Sequence, residues 1–270
     1  MTRRDRGAAL AAIEELLAIM DRLREPGGCP WDRAQTFDSV APHTFEEACE
    51  VVDAIERGDM EDLQDELGDL LFQVVFHARM AAEQGRFDFA AVAQGLCAKL
   101  VRRHPHVFGT EPVGDFADQA RVWEAIKAAE RARRPRDLAW GEDVPRTLPA
   151  LSRAAKLQRR ASRLGLDWPD AESVLPKIAE ELEEVRQAMA AGDREALAME
   201  LGDLLFSCVN LARRLDLDPE QALRRSNRKF MARVQAVMAA LDAEGAAGEE
   251  PDPERLDRLW QQVKRRTGGG

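Results

Sequence analysis

The residues most able to do chemistry are carboxylates set out twice in one pattern. An EExxE run, Glu46, Glu47 and Glu50, is followed by an ExxD pair, Glu66 and Asp69; the same order returns as Glu180, Glu181 and Glu184 with Glu200 and Asp203. Residues three apart share a helical face, so Glu47 sits beside Glu50 and Glu66 beside Asp69. A helical hairpin would bring the two faces together. Carboxylates that close raise one another's pKa, and a cation with oxygen ligands relieves the repulsion. Acids that leave open coordination positions suit Mg²⁺ bound to phosphates, with Mn²⁺ next. Glutamates on helices are ordinarily solvated surface. Here Asp69 lies in LGDLLFQVVF and Asp203 in LGDLLFSCVNL, segments apolar around nearly the whole helix. Both aspartates are therefore predicted to be buried, and neither segment holds a Lys or Arg to neutralise them.

Other metals fit less well. A di-iron bundle needs Glu-x-x-His pairs, which the relevant helices lack. Zinc would take His or Cys, and the second half of the chain has no histidine. His104-Pro105-His106 has no counterpart there either and reads as a loop or helix-end feature. A magnesium site implies a phosphate substrate, which calls for cations on its far side. Lys229 and Arg233, four apart on one predicted face, are suited to this, and they recur as Lys99 and Arg103. Trp260, on an amphipathic helix, reads first as a core anchor and second as a stacking platform. There is no Walker-type glycine loop and no evident Ser–His–acid or Cys–His arrangement.

These residues need helices to hold them, and the chain supplies little else. Ala, Leu, Glu, Arg and Gln abound, Tyr is absent, and no alternating β-branched run appears. Leu10, Ile13, Leu16, Leu17, Met20 and Leu23 mark an amphipathic helix over 8–24, stopped by Pro26, Gly27 and Gly28. Further helices are predicted at 43–57, 60–84, 88–103, 117–133, 148–164, 176–191, 194–215, 219–243 and 253–266. Gly58-Asp59 and Gly192-Asp193 each read as a helix end followed by an N-cap, joining antiparallel helices. Sliding the sequence by 134 residues makes 19 of the 34 positions from Glu46 to Arg79 identical, a duplicated unit. Outside that core, with small shifts in register, Trp123-x-x-Ile126-Lys127 matches Trp260-x-x-Val263-Lys264. The Pro-rich stretch PRDLAWGEDVPRTLP matches nothing in the other half. The expected architecture is all-α: one helical-bundle domain over 1–134, a linker over 135–149 and a second such domain over 150–270.

Composition narrows the partners. In 270 residues, Lys plus Arg number 39 and Asp plus Glu 49, a net charge of -10 that argues against a nucleic-acid binder. No apolar run approaches the roughly 20 residues of a membrane span. The N-terminal arginines precede an apolar stretch broken by Glu14 and Glu15, which fits neither a secretory signal nor a transit peptide. Cys29, Cys49, Cys97 and Cys208 form no CxxC and look like reduced thiols, so the expected compartment is the cytoplasm.

EExxE followed by ExxD, the repeated ELGDLLF, CPWDRAQT at 29–36 and KLVRRHPHVFG at 99–109 together resemble the MazG family of the all-α NTP pyrophosphatase superfamily. The resemblance spans essentially the whole chain. It implies Mg²⁺-dependent hydrolysis of an NTP or dNTP to the monophosphate and pyrophosphate, for house-cleaning or nucleotide-pool control, by a helical homodimer. It also implies that Glu181, Glu184, Glu200 and Asp203 are catalytic metal ligands, and that Lys177, Lys229, Arg233 and Trp260 contact the nucleotide. Glu47, Glu50, Glu66 and Asp69 form the equivalent metal set of the first half. Glu180 and Glu46 would orient water or support the ligands. Lys177 aligns with His43, which is largely neutral near pH 7, and in two-domain relatives the C-terminal half carries the hydrolysis. The first half is left as catalytic, regulatory or structural. Two alternatives stay open: a base-specific relative of the dUTPase, dCTPase or phosphoribosyl-ATP pyrophosphatase type, and a non-catalytic helical module with a structural cation site.

Overall fold

The computed structural model describes residues 3–109, 122–123, 125–126, 130, 139–243 and 252–267; among these no residue is in a strand. The chain divides into two compact units, Met1–Pro135 and Arg136–Gly270.

The first unit contains α1 (Arg3–Arg24), α2 (Pro30–Ala34), α3 (Phe37–Arg57), α4 (Met60–Glu83), α5 (Phe89–Arg103) and the single turn α6 (Pro105–Phe108). The first helix ends where predicted. Gly28 is obligatory there, because a Cβ would stand 2.3 Å from the Leu23 carbonyl oxygen. The third helix starts six residues earlier than the predicted 43. Thr36 and Ser39 form a capping box that fixes the start, and Pro42 is absorbed inside the helix rather than beginning it. Gly58 ends α3 at φ 72°, in the left-handed region, and the Asp59 carboxylate then accepts from the Asp62 amide to start α4. That two-residue joint folds α3 back along α4. Met20, Val40, Val75, Phe76 and Met80 form the core, with Leu16, Leu17, Phe37 and Leu71 packed around them. His104 closes α5 and opens α6, a helix end as expected. Most of the helix predicted at 117–133 lies outside the described residues; 122, 123, 125, 126 and 130 are helical.

The second unit repeats the plan. It comprises α7 (Ala150–Ser162), a 3₁₀ turn at Glu172–Val174, α8 (Leu175–Ala191), α9 (Arg194–Arg214), α10 (Pro219–Ala243) and α11 (Pro253–Arg266). Gly192, at φ 70°, and Asp193 make the same joint between α8 and α9 as Gly58 and Asp59 make in the first unit. The helix α7 lies against α9 and α10, while α11 packs along α10 through Val237, Leu259 and Val263. The described end of the Pro-rich stretch folds onto this unit. Val144 is fully buried, and the Asp143 carboxylate accepts from the Arg160 guanidinium at 2.7 Å.

Candidate functional site

Each hairpin gathers carboxylates. In the first, one oxygen from each of Glu47, Glu66 and Asp69 falls within 4.8 Å of the others; in the second, Glu181, Glu184 and Glu200 do the same. The hairpin geometry explains this, since a two-residue joint sets the acid face of the EExxE helix against that of the ExxD helix. Each trio takes three of the four acids singled out in the sequence. Glu50 and Asp203 stand outside the tight groups, although the Glu50 charge still acts on Glu47 and Glu66.

The electrostatics match crowded acids. Partial desolvation raises the Glu47 carboxyl above the ordinary glutamate value, and the charges of Asp69 and Glu50 add to the shift. Glu66 is raised in the same way, by desolvation and then by Glu50, Asp62 and Asp69. In the second trio, Glu184 is raised by desolvation and by Glu181, against the opposing charge of Lys177.

One expectation about burial fails. Asp69 and Asp203 are exposed rather than buried. An apolar circumference buries a helix only where neighbours cover every side. Here Leu67, Leu201, Leu205 and Phe206 are themselves solvent-facing, so the aspartates stand among uncovered apolar side chains. Of the acids in the two trios, Glu181 is the buried one, 4% exposed, and a lysine answers it: Lys177 Nζ lies 2.8 Å from its carboxylate and 3.0 Å from that of Glu180. These contacts push the lysine pKa well up. Spacings of three and four residues on one helix made both pairs readable in advance. In the first hairpin His43 takes the lysine's place, 3.5 Å from Glu46.

The basic residues are arranged separately. Lys229 is exposed on α10, whereas Arg233 is buried against α11, where its Nε donates to the Thr267 hydroxyl at 3.1 Å. Trp260 meets the Phe230 ring edge-on, with centroids 5.7 Å apart, and borders a cavity of about 440 Å³ with Val234, Val237, Met238 and Leu256. It thus packs with the small α10–α11 cluster, as an anchor would, while its ring also faces an open apolar cavity. In the first unit, Arg103 meets Glu130 and stands over the Trp123 ring. The sequence reading missed Thr267 and Glu130, because each acquires meaning only from the arginine brought to it.

The model of the MazG nucleotide pyrophosphohydrolase domain matches residues 35–108 and 170–238, one segment in each unit. The chain belongs to the MazG family. Both acid trios lie inside the matched segments, as do Lys99, Arg103, Lys229 and Arg233, whereas Trp260 and Thr267 lie beyond them. The chain is 48% identical over 258 residues to a nucleoside triphosphate pyrophosphohydrolase of Escherichia coli strain K12, covering 94% of this chain and 97% of that protein. It is 45% identical over 252 residues to the MazG nucleoside triphosphate pyrophosphohydrolase/pyrophosphatase of Thermotoga maritima, covering 93% and 95% of the two chains. A crystal structure of a mazG-related protein from Thermotoga maritima aligns at 27% identity and a TM-score of 0.37, over 43% of this chain and 98% of that one.

Proposed function

We propose that this protein is a divalent-cation-dependent nucleoside triphosphate pyrophosphohydrolase, converting an NTP or dNTP and water to the monophosphate and pyrophosphate. The observation that carries the reading is the trio Glu181, Glu184 and Glu200, one of its acids buried, within a family whose members named above carry this activity. An all-carboxylate donor set fits a hard cation. Mg²⁺ is the expected ion, with Mn²⁺ a substitute. Glu181, Glu184 and Glu200 would hold it, with Asp203 one turn from Glu200, and Glu47, Glu50, Glu66 and Asp69 would form the second set. Bound there, the ion would supply charge neutralisation and a more acidic water.

The remaining work falls to side chains of the chain itself. Lys177 pairs with the buried Glu181 at 2.8 Å, which sets a positive charge beside the ligand cluster. As phosphate oxygens arrive, the same lysine can donate to them. Lys229 and Arg233 would receive the pyrophosphate end, where negative charge builds as the α–β bond breaks. Trp260 and the apolar cavity beside it would accept an uncharged part of the substrate, such as a base. The expected assembly is a homodimer, supported by the uncovered apolar side chains Leu201, Leu205 and Phe206. The expected compartment is the cytoplasm, supported by the free state of all four cysteines.

Incubation with each NTP and dNTP plus Mg²⁺, with separation of the nucleotide products, tests the reading. Monophosphate and pyrophosphate are expected. Diphosphate with orthophosphate, or no turnover of any nucleotide, would sink it.

A further inference from the structure

The two halves differ at a position seven residues after their matching tryptophans. Trp123 corresponds to Trp260, and in that register Glu130 corresponds to Thr267. Each faces the corresponding arginine. Glu130 is saturated: Arg102 reaches one carboxylate oxygen through Nε at 2.8 Å and Nη2 at 2.6 Å, and Arg103 reaches the other at 3.2 and 2.6 Å. The pair formed by Arg103 and Glu130 is about four-fifths buried on both sides. The two guanidinium groups hold the Glu130 carboxyl down to about 2, so it stays charged throughout the neutral range. In the second half the same place holds a hydroxyl, which accepts from Arg233 Nε and itself donates to the Val263 carbonyl at 3.0 Å. Among the described residues, no carboxylate forms an ion pair with Arg233.

We infer that Glu130 closes the arginine site of the N-terminal half to polyphosphate, and that its replacement by Thr267 leaves Arg233 open to one. The inference rests on the reading of Arg233 as a phosphate-binding cation. The physical reason is competition. A guanidinium fork already engaged by a partly buried carboxylate must give up charge-assisted bonds before it can take a phosphate, whereas a fork resting on a neutral hydroxyl gives up much less. A triphosphate approaching Arg103 would also meet the Glu130 charge itself. The halves then differ in ligand binding even though both keep their acids, and the difference lies on the phosphate side rather than the metal side.

Titration calorimetry of the full chain with Mg²⁺ and inorganic tripolyphosphate reads this without turnover. The wild type should bind one tripolyphosphate per chain. Glu130→Gln, which keeps the size of the side chain and its helix propensity, should bind two, and Glu130→Thr should do the same. Thr267→Glu should weaken the existing site by about 10- to 100-fold, the worth of a lost charge-assisted contact. Circular dichroism of each variant identifies any that has unfolded, and the remaining variants decide. A single site in folded Glu130→Gln, unchanged affinity in folded Thr267→Glu, or no binding to the wild type would overturn the inference. Pyrophosphate release from nucleotides, measured alongside, separates the two readings: its absence with the expected binding pattern sinks only the hydrolase assignment.

Discussion

At the scale of single residues, the second trio is better prepared than the first. Lys177 lies 2.8 Å from the buried Glu181 carboxylate, whereas its counterpart His43 stands at the looser distance of 3.5 Å from Glu46. Glu200→Gln keeps size and helix propensity while removing one ligand charge. It should lower turnover on the order of 100–1000-fold, as removal of a preorganised electrostatic element does, with the helical spectrum unchanged. Glu66→Gln makes the same change in the first half and should leave most triphosphate hydrolysis intact. Steady-state rates of the two purified variants check this, and equal damage from both would refute the division of labour.

At the scale of elements, long-range ion pairs fasten α1 to the first hairpin. Arg24, its side chain only 7% exposed, donates to both oxygens of Glu83 at the end of α4, at 2.8 and 2.7 Å, and its guanidinium lies over the Phe76 ring. The Arg24 hydrogen bond holds the Glu83 carboxyl below the ordinary glutamate value of 4.5, against partial desolvation and with help from Arg79. A pKa depressed in the folded state adds stability above the unfolded value, and that stability is lost as pH falls through the folded one. Glu83→Gln should therefore cost about 1–3 kcal/mol at pH 7, in the range for hydrogen bonds to charged groups. The gap from wild type should narrow as pH falls below the unfolded value of about 4.5 and through the lower folded one. Urea denaturation at pH 7 and pH 3.5 measures both. A gap that stays constant across that range would show that the pair does not set the acid sensitivity.

At the scale of the whole molecule, a cation held by the acid trios should make stability depend on its concentration. Ions that bind only the folded form stabilise it by mass action, about 2.7 kcal/mol when present at 100 times their Kd. Mg²⁺ should raise the thermal midpoint of the wild type, and EDTA should remove both that shift and the activity. The shift should shrink in Glu200→Gln, which lacks one ligand charge. A midpoint indifferent to Mg²⁺, or full activity in metal-free buffer, would exclude a functional cation at these carboxylates.

The sequence by itself determined the helices, their joints and the repeat. Helical periodicity is local, and so are the Gly-Asp joints at 58–59 and 192–193, where a left-handed glycine and an aspartate N-cap act within a few residues. Family membership was legible for the same reason, in acids at fixed spacing on those helices. Burial was not. Asp69 and Asp203 looked enclosed because their own helices are apolar, but exposure depends on what the rest of the chain lays against them. The early start of α3 depended on a Thr36–Ser39 cap that outweighed Pro42 as a boundary. Only the tertiary structure decided which acids converge, that Glu181 is the buried one, and what each arginine meets. Glu130 and Thr267 lie 27 and 34 residues from their arginines, and contacts at that range follow from how helices pack rather than from how they are spelled.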